Sequence, residues 1–360
     1  MSTKILDPKE LVALQPAHAL WRQYQPQNAR YAFRAKSLDE AQAWQTATRA
    51  ALFRAIGLQS VSTHPLNPQQ VESVDKGDYL REKVLLQTSA DTLMPVYLLI
   101  PKSAPQPLPV VLAFHGHGYG VKDLVGLWED GQERDTPDGY HKDFAIDLCR
   151  AGFLVAAPEI ACFGERQTDF SYLDPLLDQP VPSSCAQAAM LALHLGSSVL
   201  GMRVQDGLRL VDYLETRPEA DTRRLGAMGI SGGGMHAFFS TCLDERIRAC
   251  VVSGYFSTFR DSILAMAHCA CNFVPGLGQF GEMYDLAGLI APRPLLVESG
   301  SRDGIFPRWA AEQSVGRANE IYRVFNGPSL ATDYFEGRHQ VSGAKAYAFF
   351  QKALGQRDES

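Results

Sequence analysis

Residues 229 to 233 read Gly-Ile-Ser-Gly-Gly, the pattern G-x-S-x-G, at the end of the apolar run 225–230. A serine in that pattern is presented by a strand that stops abruptly and a helix that starts at once. The flanking glycines let the chain turn without Cβ clashes, and the first N–H groups of the helix point toward the serine hydroxyl. The motif nominates Ser231 as a nucleophile. It also demands a sheet whose strands alternate with helices.

That alternation runs from residue 108 onward. Apolar, strand-like stretches at 110–114, 153–157, 225–230, 249–252, 295–297 and 332–335 are separated by helical patterns at 142–151, 199–215, after Ser231, at 310–322 and from Ser342 onward. Buried strands interleaved with helices mean an α/β fold with a mostly parallel sheet covered on both faces. Upstream, 79–87 and 94–100 are β-rich, and 89–92 suits a hairpin. Earlier still, Ser37-Leu38-Asp39-Glu40 fits a capping box ahead of a helix that Gly57 would stop. The expected organisation is an N-terminal helical extension over 1–70 and a catalytic domain over 71–360. Two stretches within it, about 160–198 and 255–290, are too long for ordinary connections and are read as pocket-shaping insertions. Phe170, Tyr172, Met190, Phe273 and Phe280 in them, and Trp128, are candidate pocket or core residues.

Composition narrows the function classes. The 360 residues carry a net charge of −6, with no basic run suited to a phosphate backbone. No stretch of about 18 apolar residues marks a membrane span, and the first ten residues hold no apolar signal core. Seven cysteines, an odd number, are sparse for a disulfide framework. Cys149, Cys162, Cys185, Cys242 and Cys250 read as buried small hydrophobes. A cytoplasmic protein acting on a small molecule is expected, without nucleic acid or membrane partner; a homo-oligomer stays open.

A serine hydroxyl attacks only when a base removes its proton and a third group orients that base. Asp303 and His339 follow the serine in that order, each just past an apolar strand, on the edge where open α/β sheets bind ligands. Glu298 rivals Asp303 but sits inside its strand. His115-Gly116-His117-Gly118-Tyr119-Gly120, after the run 110–114, offers a backbone donor for the oxyanion. The His117 N–H and the Gly232 N–H are the expected pair. His115-x-His117 also permits a metal reading, which would need more ligands at later strand ends; a serine elbow stands there instead. In His268-Cys269-Ala270-Cys271 no second cysteine pair completes a four-ligand zinc site, so a structural turn is expected, with pocket lining as the alternative. No metal or cofactor is expected.

With Ser231, Asp303 and His339 in order, the chain resembles the α/β-hydrolase superfamily, within it the dienelactone hydrolase and acetyl xylan esterase-like branch. The resemblance covers roughly 79–350. It is carried by His115-Gly116-His117-Gly118, Phe163-Gly164-Glu165-Arg166, the Ser231 elbow, Ser253-Gly254-Tyr255 with Asp261-Ser262, His268-Cys269-Ala270-Cys271-Asn272 and the Asp303 to Pro307 segment. It implies an eight-stranded sheet, a cofactor-free serine esterase of small or short-acyl esters, and N-terminal helices and insertions closing over the site. Dienelactone hydrolases carry cysteine where this chain has Ser231. Many relatives read Gly-Gly-His where this chain has Gly337-Arg338-His339, making Arg338 a candidate contact for an anionic substrate. The alternatives are a prolyl-oligopeptidase-like peptidase or amidase and a non-catalytic binding protein on the same fold.

Overall fold

The computed structural model describes residues 7–169 and 184–355; Phe170 and Tyr172 lie outside the described residues. The strands in chain order are β1 (Gln69–Asp75), β2 (Tyr79–Ser89), β3 (Thr92–Pro101), β4 (Leu108–Phe114), β5 (Leu154–Pro158), β6 (Ala220–Ile230), β7 (Ile247–Ser253), β8 (Leu295–Gly300) and β9 (Ala331–Phe335). The helices are α1 (Pro8–Ala13), α2 (Pro16–Gln23), α3 (Leu38–Ala55), α4 (Phe144–Arg150), α5 (Ser184–His194), α6 (Val199–Leu214), α7 (Gly232–Leu243), α8 (Met283–Ala287), α9 (Arg308–Val324) and α10 (Ala346–Leu354).

One sheet runs β1-β2-β3-β5-β4-β6-β7-β8-β9. The pairs from β5 through β9 are parallel and those among β1, β2, β3 and β5 antiparallel. Nine strands stand where eight were expected. The extra one, β1, is a polar and largely exposed edge strand, so apolar periodicity does not announce it. Backbone pairing to β2 holds it, aided by Arg81, whose Nε lies 3.2 Å from Glu72 Oε1.

The strand interior shows why period two yields two cores. Val110, Leu112 and Phe114 of β4 pack on the face that holds α3, α6 and α7. Val111 and Ala113 point to the other face, against α4 and α10. Successive strand residues thus serve opposite layers.

Local details depart from expectation in three places. Ser37 caps α3 by accepting from the Glu40 N–H, but the Glu40 carboxylate takes the Lys36 N–H at 2.7 Å rather than completing the box on Ser37. α4 begins at Phe144, because Lys142 and Asp143 both adopt positive φ. The last helix starts at Ala346 rather than Ser342, since the Ser342 and Gly343 N–H groups donate to Glu298.

The N-terminal segment binds the second insertion. The Tyr31 N–H donates to Gln279 O, the Phe33 N–H to Asp285 Oδ1, and Tyr24 Oη to Glu282 Oε1, all at 2.8–2.9 Å. Arg49 reaches Cys242 O at the end of α7. The N-terminal helices therefore brace the insertion, and among the described residues no hydrogen bond joins them to Ser231, Asp303 or His339. No single helix among the described residues is long and apolar enough to cross a membrane.

Candidate active site

Strand register assembles the site. Phe114 of β4 pairs with Gly229 of β6, and Ile230 pairs with Ser253 of β7. Ser231 therefore emerges between the loop after β4 and the start of the loop after β7. Ser253 and Gly300 in turn neighbour Glu298 and Phe335, which brings the loops after β8 and β9 to the same edge. This is also where the strand order reverses around β4, the usual crevice of such sheets.

The elbow is tight. Ser231 has φ +56° and ψ −121° and is 9% exposed, a conformation that costs on the order of 1–3 kcal/mol for a non-glycine residue. Its N–H donates to Ser253 O at 3.0 Å, and its hydroxyl caps nothing in α7. A Cβ at Gly229 would collide with the Gly233 carbonyl, and one at Gly233 with Phe114 O. Close approach of strand and helix is thus what both glycines allow.

Asp303 and His339 meet. His339 Nδ1 lies 2.7 Å from Asp303 Oδ2, and the carboxylate is almost wholly buried. Asp303 Oδ1 accepts the N–H groups of Ile305 and Phe306 at 2.9 and 3.0 Å, which fixes the carboxylate plane. Phe306 stacks on the His339 ring at 5.8 Å and 22°. A Cβ placed on Gly254 would lie 2.9 Å from His339 Cε1 and 3.5 Å from Asp303 Oδ2, so the pair sits against the residue next to Ser231's own hydrogen-bond partner. Glu298, the rival acid, has other partners than His339. Its carboxylate accepts from Ser342 and Gly343, and burial holds it up at about 7 despite those bonds.

The loop after β4 is held by residues that sequence reasoning did not single out. Gly116 N–H donates to His141 Nε2 at 2.8 Å, and His141 Nδ1 faces Asp123 Oδ2 at 2.7 Å. Burial pushes His141 below its ordinary value, so its Nε2 stays an acceptor. Asp123 is ion-paired to Arg134, which also pairs with Asp143. Tyr140 Oη donates to His117 O at 2.6 Å, and its ring is 5.5 Å from that of His339. These ties leave the N–H groups of His117 and Gly232 with no hydrogen-bond acceptor among the described residues. The His117 ring lies next to Gly232, whose Cβ would sit 3.1 Å from His117 Nδ1. A tyrosine and histidine nearly thirty residues past the strand carry no spacing signal toward Gly116, so the sequence hid them.

His115 and His117 part company. His115 is fully buried, with Nδ1 2.7 Å from Gly116 O and Nε2 accepting from Ile160 at 3.0 Å, so neither nitrogen is available to a metal. His117 instead meets the second insertion. Its Nε2 and the sulfurs of Cys269 and Cys271 lie within 4.8 Å of one another. Burial alone would depress His117, but bonds to Cys269 and Cys271 outweigh it and push the ring up to about 9. Cys271 is held well below the ordinary thiol range, chiefly by hydrogen bonds from Cys185 and Cys269 and then by the Arg203 guanidinium. Cys185, read from the sequence as a plain hydrophobe, thus belongs to a polar cluster beside the site.

The remaining candidates divide. Phe273 lines an apolar cavity of about 180 Å³ with Tyr24, Phe259 and Leu277. Phe280 is core, stacked on Tyr31 at 4.9 Å. Met190, Trp128 and Arg338 are exposed.

A family model described as the Abhydrolase family matches residues 9–328. A hydrolase-named protein of Bacillus subtilis (strain 168), YtaP, is 26% identical over 295 residues, covering 79% of this chain and 89% of the relative. Among solved structures, a protein from Bacteroides fragilis NCTC 9343 named as an acetyl xylan esterase superposes with a TM-score of 0.73 at 16% identity, covering 95% of this chain and 90% of that one. A glucuronoyl esterase from Solibacter usitatus gives 0.64 at 18%, covering 88% and 94%. The chain belongs to the Abhydrolase family and has the α/β-hydrolase fold.

Proposed function

Proceeding from that family membership, we propose that the protein is a serine-type carboxylic ester hydrolase of small, short-acyl esters such as acetyl esters. Ser231 is the nucleophile, His339 the base, Asp303 the orienting acid, and the N–H groups of His117 and Gly232 hold the oxyanion. The reading is carried by one observation: a buried Asp303–His339 pair at 2.7 Å, packed on Gly254 beside a serine in a strained turn. The ester names borne by the structural neighbours support an ester over an amide substrate. The close packing of Tyr140 and Phe306 on His339 and of the His117 ring on Gly232, beside a barely exposed Ser231, supports a small acyl group.

In this mechanism His339 Nε2 takes the Ser231 proton as Oγ attacks the ester carbon. The carbonyl pair moves onto oxygen, where the two N–H groups meet it; one such donor is worth about 3–4 kcal/mol of transition-state stabilisation. His339, now cationic against Asp303, returns the proton to the leaving alcohol oxygen as the C–O bond breaks. Water then repeats the sequence on the acyl-serine and releases the acid. The seven free thiols support a reducing, cytoplasmic setting.

Hydrolysis of p-nitrophenyl acetate, butyrate and octanoate by wild type and Ser231→Ala tests the reading. Turnover that falls with acyl length and disappears in the variant supports it. Ligand binding without turnover in either protein replaces it with the binding-protein alternative.

A further inference from the structure

Beside the oxyanion loop, four metal-binding side chains from three stretches of chain converge. Cys271 Sγ lies 3.9 Å from His117 Nε2 and 3.3 Å from Cys269 Sγ, and Cys269 Sγ lies 3.2 Å from Cys185 Sγ. Ligand atoms around a tetrahedral zinc, at about 2.3 Å for sulfur and 2.0–2.1 Å for nitrogen, stand roughly 3.5–3.8 Å from one another. The Cys185–Cys269 and Cys269–Cys271 distances are slightly shorter than that and the imidazole slightly farther, so shifts of a few tenths of an ångström around Cys269 and Cys271, with a somewhat larger one bringing Cys185 and His117 together, centre one ion. A disulfide fits less well. All three cysteines are free, and joining any two would strand the third sulfur and the imidazole.

The second observation is electrostatic. Arg203 of α6 is 0% exposed, and its Nε and Nη1 have no hydrogen-bond partner. Its Nη2 reaches only Ala161 O at 3.3 Å and Cys185 Sγ at 3.9 Å, and among the described residues no carboxylate pairs with it. A buried guanidinium is costly unless an opposite charge meets it. Three thiolates around a divalent cation carry a net charge of −1 at the place where Arg203 points.

We propose that His117 Nε2 and the thiolates of Cys269, Cys271 and Cys185 bind one thiophilic divalent ion of the zinc class. On binding, the thiols that are still protonated and the His117 Nε2 release their protons to solvent, so the imidazole binds neutral with its remaining proton on Nδ1, and the complex is balanced by Arg203. Such an ion fastens the loop that offers the His117 N–H to the second insertion and to the start of α5. The inference does not rest on the esterase reading, and its test reads metal rather than turnover.

Protein expressed with zinc and purified without chelator is expected to hold about one zinc per chain, retained in Cys250→Ser and lost in Cys269→Ser/Cys271→Ser. Wild type stripped by chelator serves as the second arm, independent of whether the double variant folds. Cobalt(II) is expected to give thiolate-to-metal charge-transfer bands with intense tetrahedral d–d bands, and zinc to shield three thiols from Ellman's reagent. Wild type that carries no zinc, gives no charge-transfer band and shows the same reactive thiols with and without zinc overturns the proposal.

Discussion

Replacing Asp303 with Asn asks whether this carboxylate orients the base. Its Oδ1 accepts two backbone N–H groups, from Ile305 and Phe306, while Oδ2 faces His339 Nδ1 at 2.7 Å. Asparagine has one carbonyl oxygen to place. Turning its NH₂ toward the two N–H donors would forfeit two hydrogen bonds, about 2 kcal/mol together, so the oxygen stays there and the NH₂ faces Nδ1. That nitrogen must then accept, and the ring proton moves to Nε2, where Ser231 needs a base. The wrong tautomer in a triad of this kind lowers kcat by about 10⁴, or roughly 5.5 kcal/mol, with KM little changed. Side-chain volume is preserved, so the melting temperature should move by only a few degrees. Steady-state kinetics on p-nitrophenyl acetate with a thermal melt reads both. A loss below about tenfold in a folded variant would refute the assignment.

Other substitutions separate neighbouring roles. Tyr140→Phe deletes the bond to His117 O; a net loss of about 1 kcal/mol should lower kcat roughly fivefold at near-constant KM, and unchanged kcat would remove Tyr140 from oxyanion-loop positioning. Glu298→Gln should leave kcat within about threefold, because its carboxylate holds Ser342 and Gly343 rather than His339. Its stability effect depends on pH. Burial holds Glu298 up at about 7 from an ordinary 4.5, so the folded state binds its proton more tightly than the unfolded state does. That contribution is present below 4.5 and is lost as pH rises through 7, amounting to roughly 3 kcal/mol by pH 8. The Gln variant should therefore melt above wild type at pH 8 and near it at pH 4.5; a lower melting temperature at both would contradict this. Gly233→Ala should abolish soluble expression, since its Cβ would overlap Phe114 O, and a well-folded alanine variant would show that strand and helix can separate there.

Signals local in the chain were legible. An apolar run ending in G-x-S-x-G can be met by little besides a strand–turn–helix, and β6, Ser231 and α7 follow it. Asp303 and His339 were nominated because each follows a strand; parallel register carries strand ends to one edge, and there the two side chains meet. What stayed hidden depends on contacts between distant residues. β1 has no apolar period and exists by pairing with β2. Tyr140 and His141 reach back to His117 and Gly116 from a loop whose path no periodicity describes. The His117, Cys185, Cys269 and Cys271 group was sought as two cysteine pairs at short spacing; its members instead span over 150 residues and meet only through the fold.

The central claim is that Ser231 forms a covalent acyl intermediate. Its most direct test is intact and peptide mass spectrometry after treatment with a fluorophosphonate. The account predicts a single adduct on the peptide containing Ser231, formed in wild type, slowed in Asp303→Asn and absent in Ser231→Ala. An unmodified wild type, or an adduct on another residue that survives in Ser231→Ala, would contradict it.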